Sequence, residues 1–362
     1  MSALDNGALL NRAKKYSSFK YTLAILDTAY LTLILFIFLG TGLSKTLVSV
    51  ISKFSAGNYI NLAVYLFITS FVYYILDLPL NLYRSYTLEH RFALSNQKIA
   101  DWFLDQLKSG IIAYIIGLIA LEAFYYILER NPATWWLVIS LFWIFFSLIL
   151  AKLTPLIIIP LFFKYKRLSD DLLRESIISL ANKMRIKILD VFEIDFSKKT
   201  LKGNAAFVGW GATKRVILAD TLKNKYTHDE IGVILAHEFA HYKLKHLLKL
   251  ILVNSLVTIF IFYMIFCTSD HVLSIFGFSS LSNIAALPIL LIYFIIFGII
   301  MQPFQAYLSR RLERNADILA LEITGSKEAF VSMMEKLSKQ NLADRNPHPM
   351  IKFFFFDHPP IY

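Results

Sequence analysis

His237-Glu238-Phe239-Ala240-His241 is the stretch of this chain in which residue type and spacing most directly suggest chemistry. On a helix, positions four apart share a face, so both imidazoles can turn toward one ion. Glu238 sits beside them, able to take a proton from the water on that ion. Zinc suits such nitrogen ligands and brings the pKa of its water near neutrality, giving a nucleophile for a peptide carbonyl. Five residues alone equally fit an amphipathic helix with two surface histidines.

A zinc hydrolase needs a third protein ligand. One common pattern puts a histidine ten residues after the first, but that position is Leu247. His246 is one residue off, turned about 100° around a continuous helix, and reads as an ordinary surface residue. The other common solution is a glutamate on a second helix. Ser309-Arg310-Arg311-Leu312-Glu313-Arg314-Asn315-Ala316-Asp317 supplies Glu313, with Asp317 on the same face. Asp317 can accept a hydrogen bond from the outer nitrogen of a ligand histidine and fix its tautomer. In isolation this segment would also read as a solvated charged face.

The elements that must position these residues are membrane helices. The 362 residues are 57% hydrophobic and 15% aromatic. The apolar excess is gathered in six blocks at roughly 19–44, 58–82, 108–128, 134–160, 248–267 and 284–307. Crossing the hydrocarbon layer takes about 20 residues, so the chain reads as polytopic. The fourth block is broken by Pro155 and Pro160 and is expected to bend. Arg12, Lys14 and Lys15 precede the first block without a small-residue cleavage pattern, which marks an uncleaved span. The net charge of +11 needs no nucleic acid, because cationic loops beside anionic head groups account for it. Cys267, the only cysteine, excludes an internal disulfide framework and a multi-cysteine metal site.

Lys and Arg concentrate before the first span, between the second and third, and after the fourth and sixth. The positive-inside rule then places both termini and the 164–247 segment in the cytoplasm. The organisation expected is a membrane region with four spans (1–163), a cytoplasmic segment with the His-Glu helix (164–247), two further spans (248–307) and a C-terminal segment (308–362). Within the second, Asp170 caps a helix running to Met184, and β-rich stretches cover Ile188–Ile194, Ala205–Trp210 and Arg215–Ala219. Thr227 to Glu230 has capping-box spacing and opens a helix that runs on into the fifth span. Residues 308–323 continue the sixth span, and another helix follows at 326–341. The fold class is an α-helical polytopic membrane protein with about six transmembrane helices and a small α+β peptidase cap on the cytoplasmic side. The fifth and sixth spans are joined by one short loop, so the two halves of the metal site emerge as neighbours on one membrane face.

The stretch from His237 through Lys249 resembles the active-site helix of the type I CAAX prenyl proteases, integral-membrane zinc proteases related to the HtpX heat-shock proteases. The resemblance extends to Ser309–Asp317, Gly203–Gly209, Arg215–Leu222, Asp77–Tyr83 and Asp357-His358-Pro359-Pro360. It implies a zinc metalloendopeptidase with one zinc ion per chain held by His237, His241 and Glu313, and with Glu238 as general base. It implies that Asn204 and Ala205 belong to an edge strand that pairs with substrate backbone, and that His358 stabilises the oxyanion. From the residues alone, His358 would be read as part of a tail turn stiffened by two prolines. Six spans stand where eukaryotic members have seven, and the chain stops at Tyr362 where members continue with an Arg-containing tail. Substrates are expected to be peptides or membrane proteins, prenylated in CAAX processing or unlipidated in membrane-protein quality control. The compartment is the bacterial inner membrane or the endoplasmic reticulum, depending on the host. The rival reading is a non-catalytic membrane protein or transporter with a degenerate metal site.

Three charged residues, Asp27, Glu122 and Lys152, interrupt apolar runs and are expected to line a water-filled chamber or to pair. Arg310 and Arg311 read as head-group anchors, and Phe353–Phe356 as packing or interface anchoring.

Overall fold

The computed structural model describes residues 3–54, 57–209 and 214–358. Among the described residues, six helices are long and apolar enough to cross a membrane. They are built on α1 (Ala3–Gly40), α3 (Asn58–Leu82), α5 (Ile99–Arg130), α6 (Trp135–Leu153), α11 (His246–Ile275) and α12 (Leu287–Thr324). A short α2 (Leu43–Ile51) caps the end remote from the metal-site residues, where Ser44 hydrogen-bonds Tyr65 and the carbonyl of Ala285 at 2.7 Å each. Helix α3 continues through a π-helical turn at Tyr83–Thr87 into α4 (Leu88–Arg91), and α6 through another at Thr154–Ile158 into α7 (Ile159–Phe162). Prolines precede or open both π turns (Pro79 and Pro155), as expected where a ring removes a helical hydrogen bond. Large apolar side chains such as Phe145 and Leu252 are more than 60% exposed on these helices, which a bilayer would cover.

The bundle core is aromatic: Tyr65, Phe124, Trp135 and Phe262 pack with Leu62, Ile139 and Ile289. The cap contains β1 (Tyr165–Arg167), α8 (Asp171–Lys183), β2 (Val191–Ile194), β3 (Ala205–Val208), β4 (Arg215–Ala219), α9 (Asp220–Lys223) and α10 (His228–Lys243). It is completed by α13 (Lys327–Gln340) and α14 (Pro349–Phe355). The sheet order is β1-β2-β4-β3, with β2 and β4 parallel and β3 antiparallel on the outer edge. The expected β-rich stretches are therefore present, the first two shorter than expected and Arg215–Ala219 with the expected bounds, and Trp210 lies outside the described residues.

Asp170 caps α8 as expected, accepting from the Leu173 N–H at 3.0 Å. Thr227 and Glu230 close a full capping box on α10. Glu230 is 3% exposed, and it also accepts from Lys336 (2.7 Å) and Ser332 (2.6 Å) of α13. Burial raises its carboxyl pKa, but these donors and the Thr227 N–H overcome that, leaving it below the ordinary range. Its contribution to stability is thus complete above about pH 4.3, the unfolded value, and is lost as pH falls through the lower folded value. Glu230→Ala is expected to cost on the order of 2 kcal/mol, read as a lower thermal midpoint in detergent at pH 7. The deficit should shrink in acid, where the native carboxylate is itself protonated.

One expectation is corrected here. The capped helix does not run on into the fifth span. Helix α10 ends at Lys243, and Lys245 takes a left-handed conformation (φ 56°) before α11 starts at His246. A left-handed residue ends the ladder and redirects the chain, so helical phase is not carried from α10 into α11.

Candidate functional site

Helix α10 sits at the centre of the cap, packed against α12, α8, α13 and β3. Its Ala236 and Ala240 are fully buried in the same cluster as Ala316 and Ala320 of α12. Small residues let two helix backbones approach closely, and each helix places its polar site residues beside these alanines. His237 Nε2 and His241 Nε2 face each other at 3.0 Å. The Glu313 oxygens lie 3.1 Å from His237 Nε2 and 3.4 Å from His241 Nε2. The three ligand atoms fall within 4.8 Å of one another. Ligands of a tetrahedral zinc ion at about 2.0–2.1 Å are roughly 3.3 Å apart, so this donor set fits a small divalent cation. A proton shared by the two imidazoles engages only the two nitrogens, whereas a cation also engages the Glu313 carboxylate.

Asp317, one turn beyond Glu313, accepts from His237 Nδ1 at 2.8 Å, which leaves the His237 Nε2 lone pair for the cluster. Burial opposes protonation of His237, and the bonds to Asp317 and Glu313 outweigh it, pushing its pKa up to about 10. The site thus presents a strong negative field to any cation. Burial pushes the Glu238 carboxyl up as well, with His237 and His241 pulling the other way.

His358 reaches the same point from the tail, with its Nδ1 2.9 Å from Glu313 Oε2. The hydrogen bond to Glu313 raises the His358 pKa against the effect of burial. Arg310 is what holds the tail there. It donates to the Phe356 carbonyl (2.6 Å) and the Lys352 carbonyl (2.9 Å), so it is a clamp on the C-terminal segment and not a head-group anchor. Phe355 and Phe356 pack on Tyr21 at 5.2 and 6.1 Å between ring centroids, consistent with the packing reading of Phe353–Phe356. Pro359 and Pro360 lie outside the described residues.

Asn204 and Ala205 line a cavity of about 340 Å³ together with His237, Glu238, Asp317 and His358. They open the edge strand β3, whose outer side has no strand partner among the described residues. Gly203 sets their position. A Cβ there would meet the side-chain ends of Leu222 at 2.6 Å and Gln340 at 2.9 Å, so a larger residue would have to push those side chains aside.

All the site residues expected from sequence are therefore brought together, and one further residue joins them. His246 is not on the surface. It is 1% exposed, and its Nδ1 lies 3.0 Å from His241 Nδ1. The break at Lys245 is the reason, because an offset of about 100° per residue holds only along an uninterrupted helix.

Residues 168–362 match peptidase family M48. The chain belongs to this family. Residues 6–164 of the M48 peptidase match the description "CAAX prenyl protease N-terminal, five membrane helices", a range in which this chain has four long apolar helices and the short α2. It is 31% identical over 353 residues to the uncharacterized metalloprotease YhfN of Bacillus subtilis, covering 96% of this chain and 83% of that one. It is 29% identical to CAAX prenyl protease 1 of Saccharomyces cerevisiae, over 79% of this chain and 67% of the relative. The crystal structure of S. mikatae Ste24p superposes with a TM-score of 0.88 at 25% identity, over 97% of this chain and 87% of that one. The M48 peptidase is an integral, multi-pass membrane metalloprotease.

The three charges in apolar runs have separate surroundings. Asp27 pairs with Arg84 at 2.5 Å. Glu122 lines a cavity of about 230 Å³ with Asn61, Tyr125 and Glu129, and Lys152 lines a larger groove between α6 and α11.

Proposed function

We propose that this chain is a zinc endopeptidase that cleaves extended peptide segments at the membrane surface. The observation that carries the reading is the convergence of His237 Nε2, His241 Nε2 and Glu313 on one point, with Glu238 in the cavity beside an open strand edge. In this reading His237, His241 and Glu313 hold the zinc. Bound there, zinc supplies a Lewis acid that acidifies water and polarises the scissile carbonyl. Glu238 accepts the proton of the attacking water and returns it to the leaving amine. Asn204 and Ala205 hold the substrate backbone by strand addition to β3. His358 donates to the developing oxyanion, and its raised pKa suits a donor. Asp317 keeps His237 in the tautomer that leaves Nε2 free. The excess of cationic residues on the loops of the same side supports a cytoplasmic site in this reading.

Two measurements test the proposal. Purified protein should carry one zinc per chain and lose peptide cleavage on chelation, with recovery on stoichiometric zinc. Glu313→Ala should abolish both the stoichiometric metal and the cleavage; a variant that keeps its zinc would remove Glu313 from the ligand set. The relatives named CAAX prenyl proteases suggest lipid-modified substrates for this chain as well. Faster cleavage of a farnesylated peptide than of its unlipidated twin supports prenyl processing, and equal cleavage assigns the chain to peptides and membrane proteins in general.

A further inference from the structure

Helices α6 and α11 pack through rings near one membrane face. Trp135 lies 6.5 Å from Phe262, and Trp136 lies 5.0 Å from Tyr263. Toward the cap a groove of about 700 Å³ opens between the two helices. Its walls are the apolar faces of the spans, including Trp143, Leu148, Leu156 and Ile251, and its cap end is closed by Phe207, Val208 and Arg215 of the sheet. Two cations stand at that end, Lys152 in the last turn of α6 and Arg215 at the start of β4. Neither forms an ion pair with a described residue, and Arg215 Nε is buried without a hydrogen-bond partner. Asn254 and Ser255 of α11, about one turn further from the cap than Ile251, line the same groove, two polar side chains within a membrane-spanning helix.

An apolar groove between two membrane spans with unpaired cations at its cap end suits an amphiphile with an anionic head. We infer that the groove between α6 and α11 binds one anionic phospholipid. Its phosphate would meet Lys152 and Arg215, and one acyl chain the wall of Leu148, Ile251 and Trp143. Charge complementarity selects this occupant. An uncharged isoprenoid chain would leave Lys152 and the buried Arg215 Nε without partners, and unpaired polar groups at this depth are costly. A zwitterionic lipid would bring its own cation toward theirs.

The test is titration of delipidated, detergent-purified full-length protein with phosphatidylglycerol and with phosphatidylcholine, followed by native mass spectrometry. Two cations near a membrane surface are expected to favour the anionic lipid by roughly ten- to thirtyfold. Lys152→Gln combined with Arg215→Gln should bring the two affinities within about twofold while phosphatidylcholine binding persists. Ser255→Trp, which fills the groove and touches neither charge, should weaken both lipids. Equal affinity for the two lipids in the wild type would overturn the inference, as would a preference unchanged in the double variant. Displacement of either lipid by a farnesylated peptide, with no dependence on Lys152 or Arg215, would assign the groove to the lipid chain of a substrate instead.

Discussion

Glu238→Gln is expected to lower peptide turnover by roughly 10²–10⁴-fold while one metal ion per chain stays bound. The substitution keeps the size of the side chain and removes its ability to accept a proton. None of the three ligand atoms belongs to Glu238, and the contacts of His237 with Asp317 and of Glu313 with His358 do not pass through it. The loss should therefore appear in kcat, with KM little changed, because the edge of β3 that would hold the peptide is also untouched. Metal content measured on the same preparation separates the two ways activity could vanish. A variant that turns over at the wild-type rate would remove Glu238 from the proton path. A variant that loses its zinc would show that Glu238 supports the ligand cluster instead.

The proposed ligands are legible in the sequence because each rests on a local regularity. His237 and His241 share a face through helical spacing within α10, and Glu313 and Asp317 do so within α12. Bringing the two pairs together needs only the topology of two spans joined by a short connection. What escapes the sequence is non-local or breaks a regularity without a signal. The strand Tyr165–Arg167 is three residues long and is defined by its partners at Phe192–Ile194, so no periodicity announces it. Arg310 stands where head-group anchors are expected, and the carbonyls it binds lie 42 and 46 residues further along the chain. The turn between α10 and α11 puts a lysine, not a glycine or asparagine, in the left-handed region, so the usual residue signature of a helix end is missing. Beyond that residue the side chains follow a helical phase that an unbroken helix from Thr227 does not predict.

His246 is where this change of phase matters, and where the second large effect is expected. His241 turns Nε2 toward His237 and Glu313, so its other nitrogen, Nδ1, carries the proton and needs an acceptor. His246 Nδ1 stands 3.0 Å away in a buried position. It accepts if its own proton sits on Nε2, a tautomer assigned from the hydrogen-bond pattern. The pair then mirrors Asp317 and His237 on the other side of the cluster, and each imidazole proposed to ligate the metal is oriented by one partner. Losing such a partner typically weakens metal binding by about 10–100-fold. His246→Leu is expected to show that loss in competition with a chromogenic chelator, and to regain peptide cleavage when zinc is supplied in excess. This recovery distinguishes it from Glu238→Gln, whose defect no amount of metal repairs. His246→Asn keeps an acceptor near the position of the imidazole Nδ1 and should recover much of the affinity, whereas a purely space-filling role would be served better by Leu. Folded His246→Leu protein with wild-type zinc affinity would show that Glu313 and His237 suffice to orient the site, and that the contact at His241 carries no weight in metal binding.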